Sequence, residues 1–174
     1  MTPSSRPLAL GLAAGVVADW LVGDPGRGHP VAGFGRVAAA LEARMWRPSR
    51  VAGAAHALLL VGGTAGAAAW ADRRLRRRPG GRAVLLGAVT WAAVGGRSLA
   101  TVGRDLGEAV RSGDLDRART LAPSLVGRDP SRLDGPQLCR AAVESVAENT
   151  ADAVIGPPLW GALGGPAGVV GYRA

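Results

Sequence analysis

Four apolar stretches alternate with polar ones along the chain. The first, residues 8–23 (LALGLAAGVVADWLVG), is interrupted only by Asp19. The second, residues 51–71 (VAGAAHALLLVGGTAGAAAWA), runs for 21 residues with His56 as its one ionisable group. A bilayer core needs about 20 apolar residues as helix, so this run predicts a spanning helix. The third, residues 83–96 (AVLLGAVTWAAVGG), is short, and spans only if Arg82 and Arg97 reach out to the interfaces. Between these two lies DRRLRRRPGGR, residues 72–82, which predicts a helical hairpin with an Arg-rich turn. The fourth, residues 151–172, carries Asp152 at its start, Pro157, Pro158, Pro166 and six glycines. That composition predicts a broken or kinked helix that must pack against protein.

The segment 97–150 is patterned differently. Leu99, Val102, Leu106 and Val110 recur at helical spacing, with Gly113 as the stop. Asp114 is placed to cap a second helix carrying Leu115, Ala118, Leu121 and Leu125, ending at Gly127. After the turn-rich GRDPSRLDGP, Asp134 is placed to cap a third helix reaching Thr150. The expected fold is all-α: one multi-pass membrane domain over 1–174, with a polar helical insert between its third and fourth apolar segments. A cleaved signal peptide competes for residues 8–23, since Arg6 precedes the apolar core. No small-x-small cleavage site follows, so a retained anchor is the favoured reading.

Composition sharpens this. Gly is present 27 times while Phe and Tyr occur once each. So much Gly would weaken soluble helices, whereas in a membrane small residues let helix backbones approach. The net charge is +8, and every basic residue is Arg. Without Lys the chain can form neither a Walker-type phosphate loop nor a lysine Schiff base. Cys139 stands alone, which excludes an intrachain disulfide and a cysteine-cluster metal site. The Arg-rich turn is hemmed by apolar runs and cannot lie along a duplex, so nucleic acid is not an expected partner. The polar segments 24–50 and 97–150 together hold 13 Arg against six in the turn, so charge counting does not orient the chain.

Candidate chemistry sits in three places. In AAVESVAENTAD (141–152), Glu144, Glu148 and Asp152 recur every four residues, with Asn149 beside them. On a helix they form one stripe. Such a stripe is either a solvated face or a set of hard oxygen ligands for Mg²⁺, which usually also binds phosphates. Asp152 and Asp19 lie at the edges of apolar segments, where an ionisable group is costly and points to function. In GDPGRGHPV (23–31), a Pro/Gly-shaped loop presents Asp24, Arg27 and His29. His29 has a general acid–base option; the alternative is an ordinary turn at the membrane surface. Arg128 and Asp129 in GRD offer a carboxylate or phosphate contact, or a plain surface ion pair.

Two long stretches carry a resemblance. DWLVGDPGRGHPVAGFG and VGRDPSRLDGPQLCRAAVESVAENTADAVIGPPLWGALGGPAGVVGYRA closely resemble the cobinamide synthase family of cobalamin biosynthesis, of CobD/CbiB type. The resemblance implies a multi-pass enzyme of the cell membrane that joins adenosylcobyric acid to (R)-1-aminopropan-2-ol, or its O-phosphate, through an amide. Forming an amide from a free carboxylate is uphill in water, so the resemblance also implies ATP and Mg²⁺. On that basis the catalytic candidates are Asp24, His29, Glu144 and Glu148. Substrate-binding candidates are Arg128, Asp129 and Asn149, and Mg²⁺ candidates are Glu144, Glu148 and Asp152. The chain departs from the family pattern at Gly156-Pro157-Pro158. The family also continues past Tyr172-Arg173-Ala174 with further helices, so a truncated or split protein is expected. A distant likeness to AmpE-like membrane signalling proteins, or an inactive truncated scaffold, is the alternative reading.

Overall fold

The computed structural model describes residues 5–24, 28–127 and 129–174. These are helical throughout, with no strand among the described residues. In chain order the helices are α1 (Ser5–Val22), α2 (Pro30–Met45), α3 (Arg50–Arg74), α4 (Pro79–Ala93), α5 (Gly96–Arg111), α6 (Leu115–Leu121), α7 (Gly135–Thr150) and α8 (Gly156–Arg173). A 3₁₀ turn, Ala122–Ser124, follows α6, and a π-helical turn, Ala151–Ile155, joins α7 to α8. By length and composition, Arg50–Arg74, Pro79–Arg111 and Gly135–Arg173 suffice to cross a membrane. The chain is an all-α membrane protein. The chain folds as two units, one of residues 1–94 and 156–174, the other of residues 95–155.

In the first unit α1 and α4 pack along their length. Glycine makes that approach possible: a Cβ on Gly11 would stand 2.5 Å from the Ala83 carbonyl oxygen, and one on Gly15 2.6 Å from that of Gly87. Later residues of α1 meet later residues of α4, so the two helices are parallel. Trp91 Nε1 donates to the Gly23 carbonyl at 3.3 Å and ties their C-terminal ends together. Leu86, Val169 and Ala93 form the buried centre, with Leu8, Leu12 and Val89 packed around it.

The expected hairpin of α3 and α4 is splayed. Asp72 and Arg82 form a two-toothed ion pair at the turn, Nε–Oδ1 2.8 Å and Nη2–Oδ2 2.9 Å. Beyond it the helices separate, and α8 packs against both of them. No residue of α3 is buried. A long apolar helix left uncovered requires an apolar surround, either lipid or further helices.

α8 is broken, as its Pro and Gly content predicts, and it turns back on itself. Gly165 adopts φ 60°, ψ −149°, a conformation essentially confined to glycine. Residues 156–164 and 166–173 then lie side by side: Gly156 faces the Tyr172 ring, and Gly168 faces the Trp160 carbonyl. The Trp160 and Tyr172 rings stack with centroids 6.2 Å apart. Each arm, at about 1.5 Å per residue, reaches about 13 Å against a bilayer core of about 30 Å. Gly135–Arg173 has the length to span, while neither arm of α8 has it alone.

The second unit is a small helical bundle. Gly113, at φ 80°, ends α5, and the Asp114 carboxylate accepts from Arg117 N–H to start α6. α6 stops at Leu121 rather than Gly127, because Pro123 has no N–H with which to continue the ladder. α7 opens with the expected Asp134 cap, here a full capping box with Gln137. Leu106, Ala109, Ala118, Leu138 and Ala141 are buried between α5, α6 and α7.

Candidate functional site

The sequence-designated residues fall into both units. In the first unit, the loop after α1 brings Asp24 and His29 together, with Nε2 and Oδ1 3.2 Å apart. His29 is also the N-cap of α2: its Nδ1 accepts from Val31 N–H at 3.1 Å. Nδ1 is therefore the unprotonated nitrogen, and Nε2 carries the hydrogen that faces Asp24. Both ring nitrogens are engaged, so the imidazole is held between Asp24 and the start of α2. Gly28, at φ 75°, supplies the bend that brings the ring into this position. Arg27 lies outside the described residues.

The start of α2 borders an apolar cavity of about 320 Å³, walled by Pro30, Phe34, Thr64, Ala93, Val170 and Arg173. Both arms of the α8 hairpin begin or end here, since Gly156 lies on Tyr172. The Arg-rich turn occupies the opposite end of α4. Asp19, one turn beyond Gly15 on α1, is fully buried. An ionisable group buried in an apolar helix pair is costly to keep, as the sequence reading anticipates.

In the second unit, α7 carries the stripe. Glu144 and Glu148 are exposed on it, and Asp152 is exposed on the π-helical turn that follows. Glu144 pairs with Arg140, Nε–Oε1 2.8 Å, on a largely exposed surface. Screened by solvent, such a pair adds little to stability. Glu148 makes no hydrogen bond or ion pair among the described residues. Asn149 donates through Nδ2 to the Ser145 carbonyl at 2.8 Å and to Ser145 Oγ at 3.2 Å.

The three carboxylates do not form one ion's ligand set: no three acidic, imidazole or thiol groups gather for a metal among the described residues. The helix itself is the reason. Eight residues climb about 12 Å, whereas Mg²⁺ holds its oxygens at about 2.1 Å. Two neighbours on the stripe are the most a single ion can share. The donor chemistry still suits Mg²⁺, which binds through one or two carboxylates together with phosphate oxygens.

Asp129 builds its own loop. Oδ1 accepts from Ser131 N–H and Oδ2 from Ser131 Oγ, each at 2.9 Å. The backbone bond first, and the hydroxyl second, hold this carboxyl below the usual carboxylate range. Arg128 lies outside the described residues.

Ser145 was missed by the sequence reading. It is 9% exposed on the buried side of α7, and its hydroxyl donates to the Leu125 carbonyl. A serine on a helix's buried stripe reads as a small space-filler. The available clue was an Asn four residues on, within reach of its hydroxyl and carbonyl.

Comparison with known proteins places these residues in context. The family model described as CobD/Cbib protein matches residues 12–174. A cobalamin biosynthesis protein CobD from Mycobacterium tuberculosis is 52% identical over 170 residues, covering 95% of this chain and 52% of that protein. Proteins of the same name from Chromobacterium violaceum and a Sinorhizobium species are 38% and 36% identical, covering 95% and 97% of this chain. They are covered over 54% and 56% of their own length, so the chain spans about half of each curated relative. No solved structure matches. With the family model matching nearly the whole of this chain, the chain belongs to the CobD/CbiB family.

Proposed function

We propose that the protein acts in cobalamin biosynthesis as an enzyme of the cell membrane. It forms an amide between a propionate of adenosylcobyric acid and the amine of (R)-1-aminopropan-2-ol or its O-phosphate, at the expense of ATP. What carries the reading is a family match that runs through both the Asp24–His29 loop and the Glu144–Asp152 stripe.

The chemistry divides into tasks these residues can perform. The propionate must first be phosphorylated, because a carboxylate offers the amine no leaving group. The amine nitrogen then bonds to the carbonyl carbon, the bond to the phosphate oxygen breaks, and the nitrogen gives up a proton. Glu148, exposed and without an ion-pair partner among the described residues, is assigned to receive that proton. Glu144, already paired with Arg140, contributes to the field of the stripe. In the first unit, the paired Asp24 and His29 are assigned to a contact with substrate. Arg128 and Asp129 are assigned to a phosphate or propionate group. Mg²⁺ held by two neighbours of the stripe would offset the negative charge of phosphate oxygens.

The direct test is genetic. The full-length gene, expressed in a strain lacking cobinamide synthase, should restore growth that depends on completing the corrin. Membrane expression without restored growth would sink the enzymatic reading.

A further inference from the structure

The Arg-rich turn between α3 and α4 serves neither the candidate site nor the core of the first unit. Arg73, Arg74, Arg76, Arg77 and Arg78 fall within six residues, and all five are exposed. Like charges this close repel one another unless anions stand among them. Asp72 is the nearest acid, and both of its carboxylate oxygens are held by Arg82. None of the five exposed guanidiniums makes an ion pair among the described residues. The other acids of the unit are remote. Asp19 and Asp24 lie past Gly15, which meets Gly87 two turns up α4. Glu42 lies past Ala38, whose carbonyl meets His56 near the far end of α3.

The turn has a defined shape. Leu75 N–H donates to the Ala71 carbonyl, and Arg78 N–H to that of Leu75 at 2.7 Å. The Leu75 side chain lies over Gly81, where a Cβ would stand 3.2 Å from it. Pro79 then opens α4, whose start has no side-chain cap, so its positive end adds to the patch.

Depth decides which anion it meets. Both flanking helices are apolar, so the turn emerges where they leave the bilayer. Trp70, 61% exposed near the end of α3, marks that level, because tryptophan gathers at membrane–water interfaces. Arg74 lies over its ring, with Cζ 5.1 Å from the centroid. A phosphodiester anchored by acyl chains is already at this depth in high local concentration, whereas a free anion must be drawn from bulk water.

We propose that the Arg-rich turn is an interaction surface for anionic phospholipid, whose phosphodiester headgroups are the counterions of Arg73, Arg74, Arg76, Arg77 and Arg78. Each Arg near such a surface adds about fivefold in affinity. The inference is independent of the amide-forming reading above.

Native mass spectrometry of the delipidated full-length protein tests it, with phosphatidylglycerol and phosphatidylcholine of matched chains as probes. Phosphatidylglycerol should bind the wild type more tightly. Replacing Arg73, Arg76 and Arg77 together by Gln should weaken it about a hundredfold, three steps of about fivefold. Replacing the same three by Lys, which keeps the charge, should preserve binding. The same charge loss in the second unit, Arg104→Gln with Arg117→Gln and Arg132→Gln, should leave it unchanged. Equal affinity for the two lipids in the wild type would overturn the proposal, as would undiminished phosphatidylglycerol binding by the Gln variant. Loss of binding in the Lys variant would do so too, by showing that the substitutions disturb the turn and not its charge. Displacement of phosphatidylglycerol by inorganic phosphate would make the patch a free-anion site and overturn it as well.

Discussion

Gly156 lies against the ring of Tyr172, at the opposite end of the same apolar segment. The two can meet only because Gly165 turns α8 back on itself. If the segment sits in a bilayer as it is folded here, both ends are expected on one side of the membrane. In a Cys139→Ser background, Pro158→Cys and Arg173→Cys should both react with a membrane-impermeant maleimide from the same side. Labelling from opposite sides would mean that the segment crosses.

The α1–α4 pair makes a second prediction, about stability. Gly15→Leu places a side chain where the Gly87 carbonyl and Thr90 already stand, and Gly11→Leu does so at Ala83. Each should destabilise the protein by about 1–3 kcal/mol or more, the cost of overpacking a closed contact. Gly62→Ala, with nothing within 4 Å of the added Cβ, is the control and should be neutral. Thermal unfolding in detergent reads all three.

At Asp129 the expectation concerns pH. Its carboxyl is held below the usual range, so its hydrogen bonds to Ser131 contribute fully above the unfolded-state value of about 3.9. That contribution is lost only as pH falls through the lower, folded value. Carbon NMR of the Asp129 carboxyl should show a titration below that of an ordinary aspartate. Ser131→Ala should return part of the shift, because the larger cause is the backbone N–H, which the substitution leaves in place. An unshifted midpoint in the wild type would contradict the loop geometry.

Cys139 is exposed on α7 and is the chain's one thiol, so it reports sidedness without engineering. If the substrates are ATP and a cytosolic corrinoid, impermeant maleimide should label it in inside-out vesicles and not in right-side-out ones. The reverse pattern would place the second unit away from its proposed substrates.

The parts of this architecture that the sequence revealed are those whose cause is local. Asp114 and Asp134 announce α6 and α7 because a capping carboxylate acts within three residues of itself. Residues 51–71 announce α3 because length and apolarity are local properties. The Pro–Gly content of 151–172 revealed that α8 breaks, yet not that it folds back, since that depends on Gly156 meeting Tyr172 and Gly168 meeting Trp160. The parallel pairing of α1 with α4 was equally hidden: Gly11 and Ala83 are far apart in the chain, and nothing near either names the other. At the site, the acidic stripe was legible from its four-residue spacing. The engaged nitrogens of His29 were not, because a histidine before a proline reads equally well as a cap or as a base. Ser145 was silent for the reason that buried serines usually are.

The measurement that bears most directly on the whole account is product formation by membranes carrying the full-length protein. Supplied with adenosylcobyric acid, ATP, Mg²⁺ and (R)-1-aminopropan-2-ol or its phosphate, they should yield the corresponding amide by mass spectrometry. Glu148→Gln should lower its rate by about 10²-fold or more, the scale of losing a positioned proton acceptor. Membranes that contain the folded protein and form no amide from either amine, or a Glu148→Gln variant that forms it at the wild-type rate, would contradict the account.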